Sequence, residues 1–430
     1  MQGGIKGKKH QTREYYDKKV KKKVNIVTNE IIVKFTKEAK TKDIEALNSV
    51  HAVIVLETVL TLNTYKLQIP ANSNIDDILQ LYRKNTIVKH AEPSYTDRTR
   101  MIPSDSELVN QWAIQNIELD KAWNLETGNE SVVIAVLDTG IDYTHEELED
   151  NVISGYDFVN NDDDAMDDNG HGTAVAGIIG AKGNNNKGIA GVTWNSKIMP
   201  IKVIDTDGYG SYFDIIHGIL YAIENGIKII NMSFGGYADS DILREAVEYA
   251  LSKDCIIIAS VGDDDTDTVI YPAGYDGVIG VASTESDNSI SINSNYGDYI
   301  DLYAPGIDIF STKPSNGYSS ESGSSMASAY VAGLAGLVLA SSNTLTGSQI
   351  ETIIYNNSDY IKMNYKGTYG HGKINAHRAI LSAKSISNVN IAIVDFKIIP
   401  ETPVKNQQAT ITVKLLTSFF SKLPAIGFFK

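Results

Sequence analysis

Five short runs of β-branched and other apolar residues recur between residues 132 and 283: VVIAVLDTG, IMPIKVID, IKIINMSF, CIIIASVG and VIGVAS. Strands this continuously apolar are buried on both faces, which calls for a parallel sheet with helices on either side. The segments between them, AVAGIIGA among them, carry helical spacing and are bounded by Gly-rich turns. The spacing therefore predicts an α/β domain over residues 99–384, a mostly parallel sheet with helices on both faces. Ligands of such sheets lie at the carboxyl ends of the strands, so the residues that end these runs are the candidates for chemistry.

The flanks read differently. Residues 1–24, ending in the lysines around Lys18–Lys23, have the character of a solvated basic tail. Over residues 25–98, NEIIVKF, AVIVLETVL, NTYKLQIP and VKHAEPSY alternate like strands, while TKDIEALNSV and NIDDILQLYRKN have helical spacing. Ser73 or Asn74 caps the second helix. The order β-α-β-β-α-β is that of a small ferredoxin-like unit. Residues 385–430 offer two strands around a Pro-rich turn, the opening of a β-sandwich module that the chain does not close.

Composition narrows the function. A net charge of −15 over 430 residues gives none of the basic surface that nucleic-acid binding requires. Cys255 is the single cysteine, so no intramolecular disulfide forms, and its place in CIIIAS marks it as an inert core thiol. No apolar run approaches the ~18–20 residues of a membrane span, VAGLAGLVLA being too short. The basic N-terminus lacks the apolar segment of a signal peptide.

Three segments carry chemistry. Asp138 ends the first apolar run. His171 stands between Gly170 and Gly172, where AVAGIIGA begins its helix. Ser325 opens the apolar helix SSMASAYVAGLAGLVLA, whose Ala327, Ala332, Gly333 and Gly336 suit close packing on both sides. Singly, each has a structural reading: a turn aspartate, a satisfied histidine, an N-cap serine. Jointly they are the parts that acyl transfer to a serine needs, a hydroxyl, a general base and a carboxylate that fixes the base's tautomer. A helix start also surrounds the hydroxyl with free N–H groups and a positive dipole. A fourth segment, YDFVNNDDDAMDDNGHG, crowds Asp157, Asp162, Asp163, Asp164, Asp167 and Asp168 into one loop. It is either a solvated acidic loop or one that holds a hard cation. His145-Glu146 lacks the second histidine of a helix-borne zinc motif.

LDTGID, NGHGT and GSSMAS, in the order Asp, His, Ser, closely resemble the three signatures of the subtilisin-like serine proteases, the subtilase family. GIAG at residues 188–191, MSFGG at 232–236, YPA at 271–273, APG at 304–306 and HGKINAHRA agree, and the thermitase-like branch matches best. The resemblance implies a serine endopeptidase acting through an acyl-enzyme, with Ser325 as nucleophile, His171 as general base and then acid, and Asp138 orienting the imidazole. It implies a pocket walled by Ser233-Phe234-Gly235 and Ser260-Val261-Gly262, with Ile270 near its base, suited to a medium-sized apolar side chain. Residues 25–98 resemble the family's inhibitory prodomain, which implies a zymogen cleaved by itself within residues 96–103 and peptides or proteins as substrates. Secretion is implied too, although no signal peptide is apparent in the sequence.

Calcium is the implied ligand, with no organic cofactor. One site would use Asp157, Asp162 and Asp164; a second would join Asp105, Glu147 and Asn185 with carbonyls of GNNNKGI, Glu147 standing where Asp is usual. The chain departs from the family at Ala174, where His is usual, at Ser324 in place of Thr, and at Ala329-Tyr330 in place of Pro-His. The gravest departure is Asp263, at the position of the oxyanion-hole Asn. An ionised carboxylate accepts hydrogen bonds only and repels a developing oxyanion. One branch of the proprotein convertases carries Asp there and is active; the rival reading is a silent pseudoprotease that only binds peptides.

Overall fold

The chain divides into two units, Met1–Thr99 and Arg100–Lys430. A computed structural model describes residues 11–19, 21–96, 102–361, 367, 369–387, 391–399 and 410–417.

The N-terminal unit is built on one long strand. Its elements are β1 (Thr12–Asp17), β2 (Lys22–Phe35), α1 (Thr41–Val50), β3 (Ile54–Val59), β4 (Thr64–Gln68), α2 (Ile75–Lys84) and β5 (Val88–Tyr95). Ile31–Lys34 of β2 pairs antiparallel with β4 on one edge and with β5 on the other, and β3 pairs with β4. From β2 onward the order is the β-α-β-β-α-β of the sequence reading. Asn74 caps α2, accepting the Asp76 N–H at 2.9 Å; acids in the first turn and bases in the last complement the helix dipole. Ile26, Ile31, Val33, Phe35, Leu67, Leu79 and Tyr82 form the core.

The basic tail expected over residues 1–24 is corrected from Thr12 onward. β1 pairs antiparallel with Lys22–Val27 and is part of the sheet. Tyr15 donates to Asp76 at 2.5 Å and Tyr95 donates to the buried Asp17, so this hairpin is fastened to α2 and to the end of β5. The described lysines lie at the turn or on the exposed edge, where Lys23 pairs with Glu14. Residues 1–10 lie outside those described.

The second unit opens with two short helical turns, α3 (Ala113–Asn116) and α4 (Leu119–Ala122). Then come β6 (Val133–Asp138), β7 (Tyr156–Asp157), α5 (His171–Gly180), β8 (Lys197–Lys202), α6 (Tyr212–Glu224) and β9 (Ile229–Met232). They are followed by α7 (Asp241–Ser252), β10 (Ile256–Ser260), β11 (Val278–Thr284) and β12 (Leu302–Pro305). The hairpin β13 (Ile309–Lys313) and β14 (Gly317–Glu321) leads into α8 (Ser324–Ser341), α9 (Gly347–Asn356) and α10 (Ala376–Ser387). The sheet order is β12-β11-β10-β9-β6-β8-β7, every pair parallel.

Side chains along these strands alternate between two cores. Ile134, Val136, Ile229 and Ile258 face the cluster that includes α5 and α8; Ala135, Leu137, Ile230 and Ile257 face α6 and α7. Burial on both faces is why the strands read as unbroken apolar runs. α8 is long and apolar enough to cross a membrane, longer than the ten-residue run suggests, but 83% of it is buried and it is the central core helix. A Cβ at Gly333 would lie 2.6 Å from Val192 Cβ, so the absent side chain there lets α8 approach closely; one at Gly336 would meet the tip of Ile134 at 2.8 Å. Cys255 is buried, its thiol donating to the Ile227 carbonyl and pushed up to about 11 by burial. At the C-terminus, β15 (Ile391–Ile399) and β16 (Thr410–Thr417) pair antiparallel; the Pro-rich turn between them lies outside the described residues.

Candidate active site

β6 and β9 are neighbours at the point where the strand order reverses, β8 and β7 lying to one side and β10 to β12 to the other. The carboxyl ends at such a switch point open a crevice, and here they deliver Asp138 and Ser233. Asp138 is 1% exposed, and its Oδ1 accepts the Thr139 N–H at 2.8 Å and His171 Nδ1 at 2.7 Å. Since the carboxylate accepts, Nδ1 carries the proton and Nε2 keeps its lone pair. Burial disfavours the imidazolium, but the Asp138 charge and hydrogen bond, with Asp167 and Glu321, outweigh it and raise the His171 pKa.

Two residues that the sequence reading did not single out for this task hold that geometry. Asp167, counted there among the acids of the loop, accepts from Thr139 Oγ1 (2.8 Å), the N–H groups of Asn169 and Gly170, and both the N–H and hydroxyl of Thr173. It thereby ties the end of β6 to the start of α5. Lys202, at the end of β8 and 1% exposed, donates to the Thr139 carbonyl (2.7 Å), the Ile204 carbonyl (3.1 Å) and Asp168 (2.7 Å). A lysine closing an apolar strand was the one available signal. The flanking glycines are required: Gly170 has φ 113°, and a Cβ on Gly172 would lie 2.0 Å from the Gly140 carbonyl oxygen.

Ser325 lies in the first turn of α8. Its hydroxyl donates to the Ser233 carbonyl at 2.7 Å, so its one proton is committed there. Ser233 Oγ in turn donates to the Ser325 carbonyl at 3.0 Å and takes a hydrogen bond from Asn231. Both oxygens of Asp263 accept the Ser324 N–H at 2.9 Å, and Oδ2 also accepts the Ser324 hydroxyl at 2.9 Å. The Gly262 N–H donates to that same hydroxyl at 3.0 Å. Asp263 therefore supplies the acceptor at the start of α8, and Ser324 joins it to the Gly262 wall. Desolvation raises the Asp263 pKa, the Ser324 hydrogen bonds oppose it, and neighbouring Asp264 adds to it.

The remaining expected residues divide. Ser233-Phe234-Gly235 continues β9 and Ser260-Val261-Gly262 ends and continues β10, and Ile270 packs against both glycines. The family departures at Ala174, Ala329 and Tyr330 are buried in helices α5 and α8. The acidic loop folds back on itself, Asp157 and Asp162 forming a two-way backbone bridge. Asp157 accepts Val159 N–H and both Asn160 donors, Asp162 accepts the Asp164 N–H, and Asp164 takes the Tyr143 hydroxyl. Among the described residues no group of three or more acids, histidines or cysteines is placed to hold a metal. His145 uses both ring nitrogens, toward the Gly317 carbonyl and the Glu147 N–H.

Asp105, Glu147 and Asn185 do come together. Asn185 Nδ2 reaches both Glu147 oxygens at 3.3 and 3.4 Å, and Asp105 accepts the N–H groups of Asn184 and Asn185. Both acids are buried, and burial, with the Asp105 charge adding, pushes Glu147 up to about 7. Carboxylate oxygens of this kind are the ligands that hard cations take.

Comparison with known proteins agrees with this architecture. Residues 129–395 match the subtilase family, and residues 15–94 match the fervidolysin N-terminal prodomain. The thermophilic serine proteinase of Bacillus sp. (strain AK1) is 37% identical over 82% of this chain and 88% of its own. Thermitase from Thermoactinomyces vulgaris is 39% identical over 63% of this chain and 95% of its own. A solved structure of a protease from Pseudoalteromonas arctica PAMC 21717 superposes with a TM-score of 0.61 at 30% identity, covering 66% of this chain and all of that one. With its parallel sheet, its Asp138–His171 contact and these relatives, the chain belongs to the subtilase family as a serine-type endopeptidase, thermitase-like and carrying an N-terminal prodomain.

Proposed function

We propose that Ser325 attacks the carbonyl of a peptide bond to form an acyl-enzyme, with His171 as its base. The observation that carries this is the 2.7 Å contact between buried Asp138 and His171 Nδ1, which leaves Nε2 as a base in the cleft entered by α8. Rotation about Ser325 χ1 releases the hydroxyl from the Ser233 carbonyl and hands its proton to Nε2. His171 then returns the proton to the leaving amine, and water hydrolyses the acyl-serine by the same route. The N–H of Ser325 at the helix start is one donor to the oxyanion, and Asp263, when protonated, is a second.

We further propose that the N-terminal unit is an intramolecular inhibitor, removed by self-cleavage within residues 96–103, of which residues 97–101 lie outside those described. Asp105, Glu147 and Asn185 are the proposed calcium ligands, where the ion would neutralise the buried acids. Action outside the cell is inferred from family membership.

A fluorophosphonate probe tests the nucleophile: it should label wild type and leave Ser325→Ala unlabelled. Ser325→Ala should also accumulate as the full-length chain; its maturation alone at the wild-type rate would remove self-cleavage. The pseudoprotease reading rests on the Asp263 carboxylate standing as an acceptor beside the nucleophile, and it requires an unlabelled wild type with no casein hydrolysis.

A further inference from the structure

We propose that Ile270 closes the pocket beside the nucleophile, so that the enzyme cleaves after small residues, Ala or Gly, and rejects large apolar ones. This deepens the proteolytic reading above and rests on it. The β9–β10 ladder ends at the Ala259–Met232 pair. Beyond it the two continuations flank Ser325, whose hydroxyl touches the Ser233 carbonyl, while the Gly262 N–H bonds Ser324. The side chain before a scissile bond held at Ser325 would enter between these walls. Both carry glycine at the same depth, which in an open pocket would leave a slit.

Here the slit is occupied. A Cβ on Gly235 would lie 2.2 Å from Ile270 Cγ2, and a Cβ on Gly262 would lie 2.4 Å from Ile270 Cδ1. One isoleucine thus touches both walls, and it is only 5% exposed. It cannot readily step aside. Tyr271 N–H bonds the Gly236 carbonyl (2.8 Å), Gly236 N–H bonds the Tyr271 carbonyl (2.9 Å), and Gly274 N–H bonds that of Ile270 (2.8 Å). Ile270 is β-branched, so χ1 is stiff as well. The medium-sized apolar side chain expected from sequence would compete with Ile270 for the same volume.

The test is kcat/KM for the full-length chain, expressed and left to mature, on peptides that differ only in the residue before the scissile bond: Ala, Leu, Phe. Wild type should prefer Ala to Phe by at least about tenfold, since a side chain too large by one methylene already costs about 10–200-fold in an apolar pocket. Ile270→Gly should raise the Phe-to-Ala ratio by about 10², and Ile270→Ala should move it the same way by less. A wild-type optimum at Phe or Leu overturns the inference while leaving proteolysis intact, as does an Ile270→Gly or Ile270→Ala ratio equal to that of wild type. If neither variant folds, the wild-type ratio alone decides. Absence of hydrolysis on every peptide and on casein removes the proteolytic reading and the pocket with it.

Discussion

Asp263 accepts the Ser324 N–H on both oxygens and the Ser324 hydroxyl on one, and while ionised it can donate nothing. Desolvation raises its pKa from the ordinary aspartate value, and the Ser324 hydrogen bonds oppose the rise. On the proposed role, the protonated carboxyl donates to the oxyanion and the carboxylate repels it, so kcat should fall as Asp263 ionises. His171 demands the opposite: it acts as a base only above its own raised pKa. The two requirements oppose each other, so wild type should be weak at pH 8. Asp263→Asn keeps Oδ1 as an acceptor for the Ser324 N–H, gives up the Oδ2 acceptor of the Ser324 hydroxyl and gains a permanent Nδ2 donor. Its kcat at pH 8 should exceed that of wild type by about 10²–10³, the size of one oxyanion-hole donor, and its profile should rise with His171 alone. Superimposable kcat–pH profiles would mean that Asp263 serves only to cap α8. The sequence made Asp263 conspicuous through what its relatives carry there. It also marked Ser324 as standing in place of Thr, but not that its hydroxyl joins Asp263 to Gly262, because that contact brings together segments more than sixty residues apart.

The elements were legible where burial is two-sided. The five apolar runs each became a strand of the parallel sheet because α8 on one face and α6 and α7 on the other exclude polar residues from both. β1 escaped notice because, although its partner strand is the next segment of the chain, its anchors Asp76 and Tyr95 lie far along it and the neighbouring lysines dominate the composition. Lys202 was equally hidden, a charge at the end of an apolar strand whose partners belong to three segments. It bonds two carbonyls and Asp168, which is half-exposed. Lys202→Met would leave those carbonyls unpaired in the interior. The cost should be about 2–4 kcal/mol, below the full penalty of a broken buried pair because water reaches Asp168. Urea unfolding in a Ser325→Ala background, where self-digestion cannot intervene, measures it; a loss under about 0.5 kcal/mol would remove Lys202 from the framework that holds the His171 loop to β6.

For the molecule as a whole, a net charge of −15 must be carried without driving the chain apart. Much of the acid density is neutralised internally: Asp167 by five hydrogen bonds from Thr139, Asn169, Gly170 and Thr173, and Asp168 by Lys202. Sequence could count those aspartates but not see that backbone N–H groups and hydroxyls of the same loop already satisfy them. Glu147 and Asp105 differ, the pKa of both being raised by desolvation while amide groups of Asn184 and Asn185 bond them. Bound calcium should therefore act here, joining the residues just after the inter-unit boundary, the turn before β7 and the loop after α5. At free ion about a hundred times its dissociation constant, the folded state should gain roughly 2.7 kcal/mol. Thermal unfolding of Ser325→Ala with calcium and with chelator reads this as a rise in Tm. Glu147→Ala should abolish the calcium-dependent rise, whereas Asp162→Ala combined with Asp164→Ala should retain it if the ion sits at the buried pair. A calcium response that vanishes in the double variant and survives in Glu147→Ala would return the ion to the acidic loop. Identical melting with and without chelator would remove the calcium claim.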